Sequence, residues 1–176
     1  MNTAPDIFLS GVVLLRGDSM QYQELWEMAA TACVEKVAER VKLHLMERIM
    51  ADVYNFGDGK RKIYHGGSKT TTYQFYNSVE NILTSQTEKL VEYTISSNPD
   101  NMDYDRKTFL HGSITDAREN LLEILGENKT GTVFGERGWW RKRPAFWTPL
   151  TSELENSLID KWFKEELNNV GLSCVE

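Results

Sequence analysis

Cysteine and histidine are scarce in this sequence. Its two cysteines, Cys33 and Cys174, lie far apart, one within a strong helix pattern and one near the end. This arrangement indicates neither a disulfide framework nor a zinc cluster, and we expect two free thiols in a reducing compartment. The three histidines fall in different predicted elements, and no H-x-x-x-H or H-E-x-x-H pair is present to hold zinc. We therefore predict no metal and no other cofactor.

Long apolar runs are also missing. The run near the N-terminus, Ile7 to Leu15, is short, contains Ser10 and Gly11, and has no basic residue before it, unlike a secretory signal. No stretch approaches the roughly 20 apolar residues of a membrane-spanning helix. We expect a protein that is made and used in cytosol-like solution, with no membrane partner.

The sequence further lacks a recognisable catalytic motif and an excess of positive charge. It has no G-x-S-x-G nucleophile elbow and no glycine-rich loop with the spacing of a phosphate-binding motif. Its net charge of -6 disfavours a protein whose main task is to wrap nucleic acid. With 176 residues, 40% of them hydrophobic, the chain can form one domain with a substantial core. These properties predict a structural protein and not an enzyme.

Hydrophobic periodicity predicts two helices. From Gln21 to about Val53 apolar residues recur at three-to-four spacing, which places one stripe along a helix face. A second helix begins near Pro149 and ends at Gly171. The apolar stripe of the first helix comprises Tyr22, Trp26, Ala30, Cys33, Val37, Val41, Leu45, Ile49 and Val53, and that of the second comprises Leu154, Leu158, Ile159, Trp162, Leu167 and Val170.

The region between the helices is predicted to contain short elements. The segment from Thr87 to Ser97 alternates as a strand does, whereas the pattern from Tyr73 to Leu83 fits either a short helix or a strand and turn. Asp116 with Glu119 resembles a capping box, which predicts a helix over residues 117–125 that is closed by Gly126.

We predict an α+β fold in which the long N-terminal amphipathic helix and the C-terminal helix pack on a small antiparallel sheet. Residues 1–20 form an extended arm, because Pro5, Gly11 and Gly17 interrupt a stretch that has no helical period. Such an arm either adds a strand to the domain or reaches a neighbour. The α+β domain spans residues 21–172 as a single unit, and residues 173–176 form a tail.

Three residues match the letters of a metal-dependent nuclease motif. Such an enzyme uses two acids to hold Mg²⁺ and a lysine to stabilise the scissile phosphate, and Asp100, Asp105 and Lys107 have these identities. Their spacing is too tight, because the second acid and the lysine should lie on a separate strand. A small metal-dependent nuclease stays an alternative to a structural role.

Two segments concentrate positive charge. Lys60–Lys62 lies in a glycine-rich loop, and Gly138–Pro144 mixes tryptophan with arginine and lysine. Aromatic and cationic side chains together bind single-stranded nucleic acid, so an accessory factor using Lys60–Lys62 and Arg141–Arg143 is a further alternative. Tryptophan and arginine are also enriched at protein interfaces. Because the protein is acidic overall, we favour a protein partner over nucleic acid for this segment. The predicted interface residues are Trp139, Trp140, Arg141, Arg143, Phe146 and Trp147, and the loop for DNA or a partner is Lys60, Arg61 and Lys62.

The order of elements and three short motifs resemble a known family. The motifs are the Tyr64 loop, the segment Thr72–Val79 (TYQFYNSV) and the stretch Arg143–Leu150 (RPAFWTPL) before the last helix. The neck and tail-completion proteins of tailed bacteriophages have a long helix, a T-x-x-L-x-x-S element, a small antiparallel sheet and an R-P-F-x-x-P-A-L-like stretch in this order. The chain resembles that family over Gln21–Leu172.

The resemblance implies a non-enzymatic virion component that is assembled in the host bacterial cytoplasm. It implies a ring of copies, a hexamer or a dodecamer, at the head-tail junction, acting in neck or tail completion or as a tail terminator. The partners it implies are further copies of the chain, the connector or adaptor proteins and the tail-tube protein, with DNA passing through without sequence specificity. It transfers no catalytic residue.

Overall fold

A computed structural model of the chain describes residues 7–11, 20–54, 73–87, 90–102, 107–110, 113–116, 118–127 and 145–172. Its elements, in chain order, are β1 (Ile7–Gly11), α1 (Met20–Ile49), a first π-helical turn (Met50–Tyr54), α2 (Gln74–Asn77), β2 (Val79–Gln86), β3 (Val91–Ser97), a 3₁₀ turn (Pro99–Asn101), β4 (Lys107–Leu110), β5 (Ser113–Asp116), α3 (Leu121–Gly126), α4 (Trp147–Glu153), a second π-helical turn (Leu154–Leu158) and α5 (Ile159–Asn169). The α+β class predicted from the sequence is confirmed.

Helix α1 forms on the predicted stripe. It has 30 residues, which is about 45 Å at 1.5 Å per residue. Its side chains at three-to-four spacing lie inside the core, each at most 3% exposed: Cys33, Val37, Val41, Leu45, Ile49 and, in the π-helical turn, Val53. The side chains of Tyr22 and Trp26 lie outside the described residues. Because one whole face is apolar, burial against the sheet stabilises the helix along most of its length.

Within the described ranges, the main sheet has three strands in the order β1-β3-β2, and both neighbours run antiparallel to β3. Of the two roles expected for the N-terminal arm, its described part, β1, adds a strand to the domain by pairing Ile7–Gly11 with Val91–Ile95. The segment over residues 73–83 contains both predicted forms, α2 and then β2. Tyr93 and Ile95 belong to the same core as the α1 stripe, so α1 covers one face of this sheet.

A second, two-stranded sheet precedes α3, and here one prediction is wrong. Asp116 is the last residue of β5, where it pairs with Lys107 of β4. It therefore does not cap a helix, and α3 begins only at Leu121. Gly126 is the last residue inside that helix and not the residue after it. The strand pairing of Asp116 prevails over its local preference for a helix cap.

The C-terminal helix is interrupted by the second π-helical turn and then packs as α5 against α1. Its partly buried residues Leu158, Ile159 and Trp162 contact the core, as the predicted stripe requires. Val170 is exposed and does not. The helix ends where Gly171 adopts a φ of 81°, a left-handed conformation that glycine tolerates without strain, as predicted.

Candidate functional site

Most of the predicted contact residues lie outside the described part of the chain. These are Lys60, Arg61, Lys62, Trp139, Trp140, Arg141 and Arg143. The remaining two, Phe146 and Trp147, are described, and they belong to the hydrophobic core, at 0% and 6% exposure. Because the side chains of the same chain already cover both rings, their prediction as interface residues is wrong.

Phe146 and Trp147 join α3 to the C-terminal helix. The backbone N–H of Phe146 donates to the carbonyl of Gly126 over 2.9 Å. A Cβ placed on Gly126 would lie 2.9 Å from Cβ of Trp147, so the two segments approach closely because Gly126 has no side chain. The aromatic residues at the end of the stretch thus anchor the chain internally.

The three residues that match the nuclease motif, Asp100, Asp105 and Lys107, do not form a site within the described residues. Asp100 lies exposed in the 3₁₀ turn, where its backbone N–H donates to Oδ1 of Asn98 over 2.9 Å. Lys107 begins β4, and Asp105 lies outside the described residues. Within the described ranges no three His, Cys, Asp or Glu side chains come together as metal ligands.

The face between α1 and the C-terminal helix is closed by ion pairs. Arg40 contacts Glu165 at 2.7 Å and Glu166 at 3.2 Å, and its guanidinium lies 5.3 Å from the ring centre of Trp162. His44 extends this contact, with Nε2 at 3.4 Å from a carboxylate oxygen of Glu153. His44 is half-buried and lies beside the α1 stripe, where it holds the two helices together.

In the part of the chain that the structure describes, three core groups have shifted pKa values, each for a structural reason. Burial raises the pKa of the Tyr54 hydroxyl to about 12, although hydrogen bonds from the backbone of Tyr76 and Phe75 lower it. Burial also raises the pKa of Cys33, against the opposing effect of Lys36. The pKa of Tyr93 is raised by burial and then by Glu35 (at the surface of α1). These upward shifts keep the groups protonated near pH 7, whereas an activated nucleophile needs the opposite.

The surface best suited to a partner is the free edge of β2. Among the described residues, β3 is the only strand that pairs with it. Two adjacent residues in its middle, Ile82 and Leu83, are 44% and 45% exposed. An edge strand presents unpaired backbone N–H and C=O groups, and apolar side chains beside them favour pairing with another strand. We call Val79–Gln86 the β2 edge.

The surroundings of the β2 edge are acidic on the side of α1. Asn81 donates to Glu39 over 3.2 Å, which shows that the face of β2 bearing Asn81 and Leu83 is turned toward α1. Glu35, one turn before Glu39, lies close enough to Tyr93 to raise its pKa. Lys42 contacts Glu39 at 3.3 Å and offsets part of this negative charge.

Ile82 and Leu83 were not singled out from the sequence, although a signal was present. Successive side chains of a strand point to opposite faces, so two adjacent apolar residues cannot both face α1. The pair therefore indicates either a strand covered on both faces or an exposed apolar surface. The exposed fractions of the two side chains in the structure identify the second case.

Comparison with known proteins identifies no relative. No family model, no curated protein and no solved structure matches the chain. Within the described ranges, no helix combines the length and the apolar character needed to cross a membrane.

Proposed function

We propose that this chain is a non-enzymatic structural protein of a tailed-phage virion, which forms a ring at the head-tail junction and joins the capsid connector to the tail tube. The observation that carries this proposal is the β2 edge, which bears the adjacent exposed side chains of Ile82 and Leu83 and pairs, among the described strands, only with β3. A protein that functions by contact with copies of itself needs such a surface.

Two further observations support a structural role over an enzymatic one. Among the described residues, the titratable groups with shifted pKa values are core residues with raised values. The ion pair of Arg40 with Glu166 and the contact of His44 with Glu153 join α1 to the C-terminal helix of the same chain. The order of elements from α1 through β2 and β3 to the C-terminal helix also agrees with the layout that resembles the phage family.

The partners in this proposal follow from the place of the ring. Copies of the chain contact each other around the ring, a connector or adaptor protein contacts it on the head side, and the tail-tube protein contacts it on the other side. Assembly takes place in the bacterial cytoplasm. Lys60–Lys62 is a candidate loop for contact with the DNA that passes through.

The test has two stages. The mass of the purified full chain is measured by light scattering across a concentration series, and its particles are imaged by electron microscopy. We expect a discrete closed ring with a single mass. In particles of a phage that encodes the chain, an antibody label should then lie at the head-tail junction, and loss of the protein should leave heads and tails unjoined. A monomer at every concentration, or a label elsewhere on the particle, would contradict the proposal.

A further inference from the structure

We infer that adjacent copies in the ring join edge to edge, with β2 of one copy pairing in parallel with β1 of the next. This inference rests on the proposed function and names the contact that builds the ring. A ring requires two different, complementary surfaces on each copy. The main sheet offers such a pair, because β1 and β2 are its two outer strands and, in the described part of the chain, each pairs only with β3.

The two edges match in length. β1 pairs regularly with β3 over five positions, from Ile7 to Gly11. β2 pairs regularly from Val79 to Leu83, also five positions, before a bulge shifts the register between Leu83 and Ser85. The bulge twists the remainder of β2 away from a straight edge, so the regular stretch is the part that can accept a strand.

The direction of the contact follows from the topology. Both β1 and β2 run antiparallel to β3, so they run in the same direction as each other. Rotation about a ring axis that lies along the strands preserves this direction, and β2 of one copy then meets β1 of the next in parallel. The rotation also keeps the α1 layer on one side throughout. A closed ring leaves no sheet edge free, which removes the hazard of an exposed apolar strand.

The charges at the two edges are compatible with pairing between β2 of one copy and β1 of the next. β2 contains no lysine, arginine or proline, which are the residues that commonly protect an edge strand from pairing. Its one charged residue is Glu80, and β1 has none, so pairing brings no like charges together. The carboxylates of Glu35 and Glu39 near β2 disfavour nucleic acid as the occupant.

A charge at the β2 edge tests the contact. Leu83→Lys introduces a lysine into the edge strand itself, a residue that commonly protects edge strands from pairing, and Leu43→Lys is a matched control because Leu43 lies on α1 and is 49% exposed. We expect Leu83→Lys to raise the concentration needed for ring formation at least about tenfold, a change of 1.4 kcal/mol, while Leu43→Lys has no effect. Circular dichroism and thermal unfolding should show that both variants are folded.

Cysteine pairs test which strands meet. Within one chain, β1 and β2 are separated by β3, so residues 8 and 82, which both pair with Thr94, have Cα atoms about 10 Å apart, two strand spacings. A disulfide needs a distance below about 7 Å. Ser10→Cys combined in turn with Glu80→Cys and Ile82→Cys, in a Cys174→Ser background with buried Cys33 retained, can therefore form a disulfide only between copies.

The outcomes separate this inference from the proposed function. A ladder of covalently linked copies on a non-reducing gel, absent when Ser10→Cys is combined with Leu43→Cys, supports the contact between β2 and β1. If the wild-type chain forms rings but no pair crosslinks and Leu83→Lys assembles normally, the inference is overturned and the proposed function stands. Crosslinking by Ile82→Cys alone would show that β2 meets β2 and would also overturn it. If the wild-type chain forms no ring, both fail.

Discussion

Replacement of Phe146 by alanine should weaken the fold of the single chain before it affects any assembly. The ring is fully buried, and its Cζ lies 3.7 Å from the position that a Cβ on Gly126 would occupy. Its neighbours along the chain, Trp147 and Leu150, are also buried, so few side chains are free to fill the space. Removal of a buried phenylalanine costs about 3–5 kcal/mol. That is a large share of the roughly 5–15 kcal/mol by which a domain is stable.

The measurement is urea unfolding followed by circular dichroism, with Leu43→Ala as a control. Leu43 is exposed, and its truncation should change the free energy of unfolding by less than about 0.5 kcal/mol. The Phe146→Ala variant should have a lower midpoint with an unchanged slope. A loss under about 1 kcal/mol, combined with a folded variant that no longer assembles, would refute the core assignment and restore Phe146 as an interface residue.

Three other changes have defined outcomes. Arg40→Ala should lower the free energy of unfolding by about 1 kcal/mol, because a half-exposed ion-pair network and a cation-π contact each contribute a fraction of that. The difference between variant and wild type should shrink in high salt. A loss of stability that does not depend on salt would contradict the electrostatic origin. Gly126→Ala should lower the free energy of unfolding by about 1–3 kcal/mol through overpacking, since its Cβ would lie 2.9 Å from Cβ of Trp147. An unchanged melting temperature would show that α3 can shift freely. Tyr54 has a folded pKa of about 12 against about 10 when unfolded, so the unfolded chain loses its proton first as the pH rises. The free energy of unfolding should therefore fall by about 2–3 kcal/mol between pH 10 and 12. In Tyr54→Phe this decline should be smaller, and the part that remains comes from Tyr93 and Cys33. If the free energy of unfolding of the variant falls with pH as steeply as that of the wild type, the Tyr54 hydroxyl lies in solvent.

The elements that the sequence predicts well are those whose signal is local. The α1 stripe from Ala30 to Val53 repeats over many turns, so its period alone identifies the buried face. The end of α5 at Gly171 likewise depends on one residue that tolerates a left-handed conformation. The prediction that Asp116 caps a helix failed, because its backbone pairs with a strand of the second sheet and the local motif carries no information about that pairing.

The candidate site could be predicted from the sequence only in part. The clustering of aromatic and basic residues before the last helix pointed to a surface, but Phe146 and Trp147 turn inward. An aromatic side chain suits a core as well as an interface, and the choice depends on whether another part of the same chain arrives to cover it. α3 does so here, because its residues are buried and Gly126 lets it approach Trp147 closely.

The sequence by itself determined the α+β class, the long helix and its buried face, because composition and periodicity are properties of neighbouring residues. Only the tertiary structure decided that the N-terminal arm contributes β1, that β3 lies between β1 and β2, and that β2 is at the edge of the sheet formed by the described residues, with Ile82 and Leu83 exposed. β1 and β3 lie about eighty residues apart in the sequence and are joined by backbone hydrogen bonds. Because these bonds are the same for every side chain, the side-chain pattern does not reveal which strands pair. Which of the described strands lies at the edge of the sheet is therefore a consequence of the order in which the strands pair.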